Sequence, residues 1–233
     1  MKLASNEGLT SYLEDDWVKC FLMSDDKEHH GKLTSTQWLL ESPPKRYVFS
    51  ELYKGFADGF SGRVLDVGGG LTTFTRFFAN RFDYELLDLM HHDEQSQVDA
   101  VTETVPEGAI HTLDWQKFVP EGSYDVVVAN DLFPNVDQRL GEFLEKFLPF
   151  TREIRLSLTY YNNRKCYKVK RVDGDEVFFM RPWEGYRLGH ELRPFENRIS
   201  DSDFSFFESD EPSLFPNGRQ VCMVTIKGEI ECV

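Results

Sequence analysis

Hydrophobic and polar positions change their spacing near residue 60. Before it, apolar residues recur at helical intervals. Leu13, Trp17 and Phe21 form one stripe over 11–23, and Ser11 and Glu14 have the spacing of a capping box. A second helix is expected from about Thr34, carrying Trp38 and Leu39 until Pro43-Pro44 stops it, and a third over 45–59. From Arg63 the pattern alternates short apolar runs with helical stretches. Strands are expected at 63–67, 84–88, 109–113, 124–129 and 153–160, with a helix at 137–147. Tyr124-Asp125-Val126-Val127-Val128-Ala129-Asn130 is an apolar run of the kind a central strand covered on both faces needs. Alternating strand and helix implies an α/β fold with a doubly wound, mostly parallel sheet.

Residues 161–200 are too long for a simple connection after the fifth strand. Two β-prone runs flank Asp173-Gly174-Asp175, which signals a hairpin insertion. Over 160–200 there are nine Lys/Arg against six Asp/Glu, in a chain whose formal net charge is −14. This locally basic insertion either faces an anionic or highly polar substrate or is a solvated surface hairpin.

The candidate chemistry lies in Arg63–Asp88. An apolar strand carrying Asp66 runs into Gly68-Gly69-Gly70, a helical segment follows, and a second strand ends in Asp88. Glycines let the backbone turn sharply and approach a ligand closely, and an acid ending the second strand can accept ribose hydroxyls. The dinucleotide signature G-x-G-x-x-G fails at its third glycine, where Thr73 stands. Asp66 would repel a pyrophosphate but suits a cationic amino group.

The stretch from Asp66 through Gly68 and Gly70 to Asp88 resembles the class I S-adenosylmethionine-dependent methyltransferases, whose first motif reads roughly acid-x-Gly-x-Gly-x-Gly. Thr72 stands at the motif's last glycine. The resemblance spans roughly residues 60–160. It implies a seven-stranded sheet whose last two strands, at 203–208 and 220–227, form an antiparallel pair. It also implies a single domain, with 1–60 as a helical lid, 61–160 as the cofactor-binding core, 161–200 as a substrate-side insertion and 201–233 as the terminal strands.

Its site residues follow by position. Asp66, Gly68, Gly69 and Gly70 are expected around the methionine portion of S-adenosylmethionine, with Asp66 on the ammonium. Asp88 is expected on the ribose, and Leu89, Met90, Asp114 and Trp115 at the adenine. Asn130 is expected near the methionine end and Asp131 near the transferred methyl. Asp131 and His190 are the candidate bases. Tyr160, Tyr161, Arg181 and Arg187 are the candidate acceptor contacts, and each arginine is equally a candidate for a surface ion pair. His91-His92-Asp93 reads as an exposed cap rather than a metal cluster, and His29 and His30 fall in the lid.

Composition narrows the partners. A net charge of −14 argues against nucleic acid. No apolar run reaches membrane-spanning length, and the first residues lack the apolar core of a secretion signal. Cys20, Cys166, Cys222 and Cys232 show no paired spacing, which favours reduced thiols in a cytoplasm over a zinc site. The expected activity is methylation of a small polar acceptor, foremost on oxygen of a sugar, glycan end or similar metabolite. N-methylation, or cofactor binding without catalysis, is the alternative.

Overall fold

The computed structural model describes residues 1–24, 33–162, 166–170, 177–209 and 211–230. His29, His30, the Asp173-Gly174-Asp175 turn and Cys232 lie outside the described residues.

The N-terminal region holds a two-residue strand β1 (Lys2–Leu3) and helices α1 (Asn6–Leu13), α2 (Trp17–Ser24), α3 (Thr34–Glu41) and α4 (Pro43–Leu52). The stripe expected as one helix over 11–23 is thus split, with Ser5 capping α1 through Gly8 N. Pro43-Pro44 does more than end a helix. The pair occupies the first turn of α4, where a missing N–H costs nothing.

The core alternates β2 (Arg63–Val67), α5 (Thr73–Ala79), β3 (Asp83–Asp88), α6 (Gln95–Thr102), β4 (Ile110–Thr112), β5 (Tyr124–Phe133), α7 (Leu140–Phe147) and β6 (Thr151–Tyr161). A separate antiparallel pair, β7 (Tyr167–Lys170) and β8 (Val177–Met180), follows. Helix α8 (Gly185–Leu192) and strand β9 (Arg219–Lys227) complete the chain.

Seven strands make one sheet in the order β1-β9-β6-β5-β2-β3-β4. Neighbours from β6 to β4 are parallel, and β9 runs antiparallel between β6 and β1. The strand expected at 203–208 does not form. Ser205–Glu208 is a single 3-10 turn whose Phe207 packs beneath α8. The seventh strand is instead β1, which pairs Lys2 with Met223 and Leu3 with Cys222. The chain start therefore closes the sheet edge instead of belonging wholly to a lid.

Strand alternation assigns the two faces. Val64, Leu86 and Val126 pack against α4, α5 and α6. Leu65, Val67 and Val127 pack against α7 and α8. Twenty phenylalanines are largely spent here; Phe49, Phe74 and Phe78 stack on one face, and Phe133, Phe143 and Phe147 on the other.

Candidate active site

At the carboxyl ends of β2, β3 and β5 lies a cavity of about 750 Å³. This is where an open α/β sheet binds ligands, because the strand order reverses there. Three parts of the chain build it.

The first is the glycine loop. Gly68 and Gly70 adopt φ of 69° and 70°, in the left-handed region that glycine enters without strain. Gly68 N donates to Leu87 O at 2.9 Å, anchoring the loop to β3. Gly70 N donates to Asp88 Oδ2 at 3.1 Å, and Met90 N donates to Asp88 Oδ1 at 2.7 Å. Asp88 thus holds loop and strand end together, and each oxygen keeps lone-pair capacity toward the cavity.

The second part is a cover from α3 and α4. Ser35, Trp38, Leu39, Lys45, Val48 and Phe49 line the opposite wall. Helix α3 is tied down at several points. Thr34 N donates to Asp93 Oδ1 at 2.8 Å, and Thr34 Oγ1 donates to His92 O at 2.7 Å. Thr73 N donates to Thr36 Oγ1 at 3.1 Å, and Thr72 N donates to Thr75 Oγ1 at 3.1 Å. These side chains occupy N–H groups at the start of α5. In a dinucleotide fold the pyrophosphate takes those donors. Here the chain fills them itself.

The third part comes from β5 and β9. The β5–β6 register shifts between Ala129 and Phe133, and Asp131 has φ 57°. Such an irregularity re-aims side chains at a strand end. Asn130 Oδ1 accepts from Ser157 Oγ at 2.7 Å, and Asp131 N donates to the same oxygen at 2.7 Å. Arg219 Nη1 donates to both Asp131 oxygens at 3.0 Å.

Gly68, Gly69, Gly70, Asp88, Leu89, Asp114, Trp115, Asn130 and Asp131 all line the cavity. Leu89 is largely exposed there. Asp114 Oδ1 accepts from Gln116 N at 2.8 Å. Trp115 is both wall and core: it packs edge-on against Phe143 and donates Nε1–H to Asp137 Oδ2 at 2.9 Å.

Seven expected residues do not reach the cavity wall. Met90, left-handed at φ 55°, turns into the core instead of toward a ligand. Tyr160 and Tyr161 are buried, with Tyr160 packed on Phe207. Arg181 is exposed, and its carbonyl accepts from Gln138 Nε2. Arg187 lies over the Trp183 ring at 4.4 Å and faces Glu191 at 4.0 Å, as a surface helix pair does. His190 is exposed on α8, whose buried face is Gly185, Leu188, Gly189 and Leu192. It cannot serve as a base in this cavity. Among the described residues the insertion contributes nothing to the wall. Asp131 lines it, but Arg219 grips both its oxygens, so it is an ion-pair partner first.

Asp66 is the seventh. Alternation along β2 turns it toward α4 and α5, beneath the loop and off the cavity wall. Its Oδ2 accepts from Tyr53 and Tyr84 hydroxyls, each at 2.7 Å, while Oδ1 is buried without a partner. Burial pushes its carboxyl up to about 7, with the tyrosine hydrogen bonds opposing and the charge of Asp88 adding. In the unfolded chain the group titrates near an ordinary 3.8. Between these values the folded protein keeps a proton that the unfolded chain has lost. Stability should therefore fall as pH rises from about 4 to 7, by about 1.4 kcal/mol per pH unit at most. Asp66→Asn, which retains an acceptor for the tyrosines, should flatten that slope. Urea unfolding at pH 5 and pH 8 checks this: equal pH dependence in both proteins would refute a largely neutral buried carboxyl.

Arg219, Lys45, Trp38 and Phe215 are site residues that sequence reasoning missed. Arg219 and Phe215 bracket Pro216-Asn217-Gly218, legible only as a turn. Lys45 sits beside a proline pair that read as a helix stop. Among the described residues, no three His, Cys, Asp or Glu side chains converge as a metal-ligand group, and no helix is long and apolar enough to cross a membrane.

No protein-family model matches the chain, and no curated protein matches it. Solved structures do resemble it. DhpI in complex with SAH superposes with a TM-score of 0.51 at 14% identity, covering 96% of this chain and 99% of that one. The 1,6-didemethyltoxoflavin-N1-methyltransferase of Burkholderia thailandensis, with 1,6-didemethyltoxoflavin and S-adenosylhomocysteine bound, gives 0.50 at 14% identity over 98% and 92% of the two chains. At such identities the likeness speaks to architecture: this chain has the fold of the class I S-adenosylmethionine-dependent methyltransferases.

Proposed function

We propose that this protein is an S-adenosylmethionine-dependent methyltransferase acting on oxygen of a small polar acceptor. One observation carries the reading. The glycine loop and Asp88 form a cradle for a nucleoside at the sheet's switch point, while the adjoining helix start is closed by Thr36 and Thr75. A nucleoside cofactor without phosphates fits such a cradle, and a dinucleotide does not.

The residues present fit S-adenosylmethionine. Asp88 would accept the ribose hydroxyls. Leu89, Asp114 and Trp115 would hold the adenine, and Gly68, Gly70 and Asn130 would flank the methionine portion. The bound cofactor supplies a methyl group on an electrophilic sulfonium. The protein's task is then to align the acceptor and exclude water. Helices α3 and α4 exclude water by roofing the cavity, and the end near Asp131, Arg219 and Lys45 is left for the acceptor. Both solved structures named above hold S-adenosylhomocysteine or SAH, and one also holds 1,6-didemethyltoxoflavin. These parallels support a small-molecule acceptor. The toxoflavin relative acts on nitrogen, so N-methylation is the second reading.

Calorimetry separates the cofactor classes. S-adenosylhomocysteine should bind one-to-one and NADH should not bind. Tight NADH binding would sink the proposal. A screen for S-adenosylhomocysteine release over phenols, sugars, carboxylic acids and amines then assigns the acceptor. Binding without release for every class would favour a non-catalytic cofactor-binding protein.

A further inference from the structure

One end of the cavity carries charge that the cofactor cradle does not need. Two cations meet there from different parts of the fold, each laid on an aromatic ring. Lys45 of α4 holds its Nζ 4.6 Å from the centre of the Trp38 ring. Arg219 of β9 holds its guanidinium 4.1 Å from the centre of the Phe215 ring. All four residues line the cavity. A ring face attracts a cation through its quadrupole, so both contacts suit charged side chains.

Their counter-charge is incomplete. Arg219 is more than nine-tenths buried. Its guanidinium donates to Asp131 through Nη1 alone, and its Nε is buried without a partner. Lys45 Nζ forms no ion pair or hydrogen bond among the described residues; the Trp38 ring is its contact. Burial works against the Lys45 charge, Asp131 supports it and Arg219 opposes it. This end therefore sets two cations against one carboxylate, in a chain whose net charge is −14. One further negative charge would balance it.

The wall around that charge is largely apolar. Val48, Phe49, Leu132 and Val221 line the same cavity. A charge withdrawn from water among such residues costs free energy until an opposite charge meets it.

We propose that the acceptor is a small carboxylic acid with an apolar or aromatic body, and that Lys45 and Arg219 bind its carboxylate as fixed positive charges. The inference rests on the methyltransferase reading above and narrows its acceptor class. Both cations only donate hydrogen bonds, and an ionised carboxylate only accepts them. A carboxylate brings the single charge that this end lacks, whereas a phosphoryl group brings about two and overshoots. The cofactor's own carboxylate is the poorer match. It travels with an ammonium, so the amino-acid end adds no net charge. Asn130 also serves that end: its Oδ1 accepts from Ser157, which leaves Nδ2 as a donor for the methionine portion. Lys45 and Arg219 hold the acceptor in this assignment without exchanging a proton with it.

The test uses the full chain saturated with S-adenosylhomocysteine, and ligand-observed NMR, which registers weak binding. The probes are benzoate, its uncharged counterpart benzamide, and phenyl phosphate. Benzoate should bind about tenfold or more tighter than benzamide, the worth of one charge-assisted hydrogen bond. It should also bind tighter than phenyl phosphate. Lys45→Met, which keeps an apolar stem without the charge, should lose most of the preference for benzoate over benzamide. Lys45→Arg, which restores the charge, should keep it. Equal binding of benzoate and benzamide, or binding of neither, would overturn the inference. Tighter binding of phenyl phosphate would overturn the choice of a carboxylate. The cofactor supplies a further control, with 5′-methylthioadenosine as the analogue lacking the amino-acid end. If Lys45→Met weakened S-adenosylhomocysteine but not that analogue, the cations would belong to the cofactor and the inference would fall. Failure of the wild type to bind S-adenosylhomocysteine would fell the methyltransferase reading itself; normal binding with no preference for benzoate fells this inference alone.

Discussion

Asp88→Ala is expected to weaken S-adenosylhomocysteine binding by about 100-fold or more. The carboxylate acts twice. It accepts from Gly70 N and Met90 N, so it fixes the loop to the end of β3 before any ligand arrives. It then offers its remaining lone pairs to two ribose hydroxyls. Each such charge-assisted bond is worth about 1.5–3 kcal/mol, and about 1.4 kcal/mol is tenfold in affinity. The fold should survive, because Asp88 sits at the cavity edge and is only half-buried. Asp88→Asn should fall between the two proteins, since an amide keeps one acceptor and adds a donor. Calorimetry on all three reads this directly. Unchanged affinity in the alanine variant would remove Asp88 from the site and most of the cofactor reading with it.

The cofactor half of the site was legible because it is local. Asp66 to Asp88 is a single strand-turn-helix-strand unit, and its residues meet through short-range bonds such as Gly68 N to Leu87 O and Gly70 N to Asp88 Oδ2, which span 19 and 18 positions. Alternation along β2 was equally legible and contains the correction for Asp66. Its neighbours Leu65 and Val67 face α7 and α8, so Asp66 must face α4 and α5. Knowing which face the ligand uses required the sheet.

The half of the cavity proposed for the acceptor was not local. Arg219 meets Asp131 across 88 positions, and Lys45 arrives from a helix that precedes the whole sheet. Charge and excess length pointed instead to the insertion. The helical period in Gly185–Leu192 already argued otherwise, for Leu188 and Leu192 four apart mark the buried face and leave Arg187 and His190 outside it. The missing strand has a similar cause. Phe204, Phe206 and Phe207 read as a strand, but they are spent on packing under α8. The edge is closed by Lys2–Leu3, too short to carry a period. By contrast β2 falls on the expected residues, because Val64, Leu65 and Val67 between Gly62 and Gly68 form a strand-like run that needs no distant partner to be recognised.

Gly68→Val should abolish detectable binding of S-adenosylhomocysteine while leaving a folded protein. Gly68 has φ 69°, which a β-branched residue rarely adopts, so the backbone conformation costs about 1–2 kcal/mol. The melting temperature should drop by about 2–4 °C for each kcal/mol in a chain of this size. An added Cβ would meet the tip of Leu132 at 3.1 Å. That flexible side chain can yield, so the fold tolerates the bulk better than the ligand does. Leu132 and Gly68 share the cavity wall, and the branched side chain, with Leu132 displaced by it, would occupy ligand space. Gly68→Ala separates the two effects. It carries the conformational cost with less bulk, and should bind about tenfold more weakly without losing binding altogether. A valine variant that is folded by circular dichroism and still binds S-adenosylhomocysteine normally would show that this turn is not the cofactor loop, whatever the resemblance of its glycines.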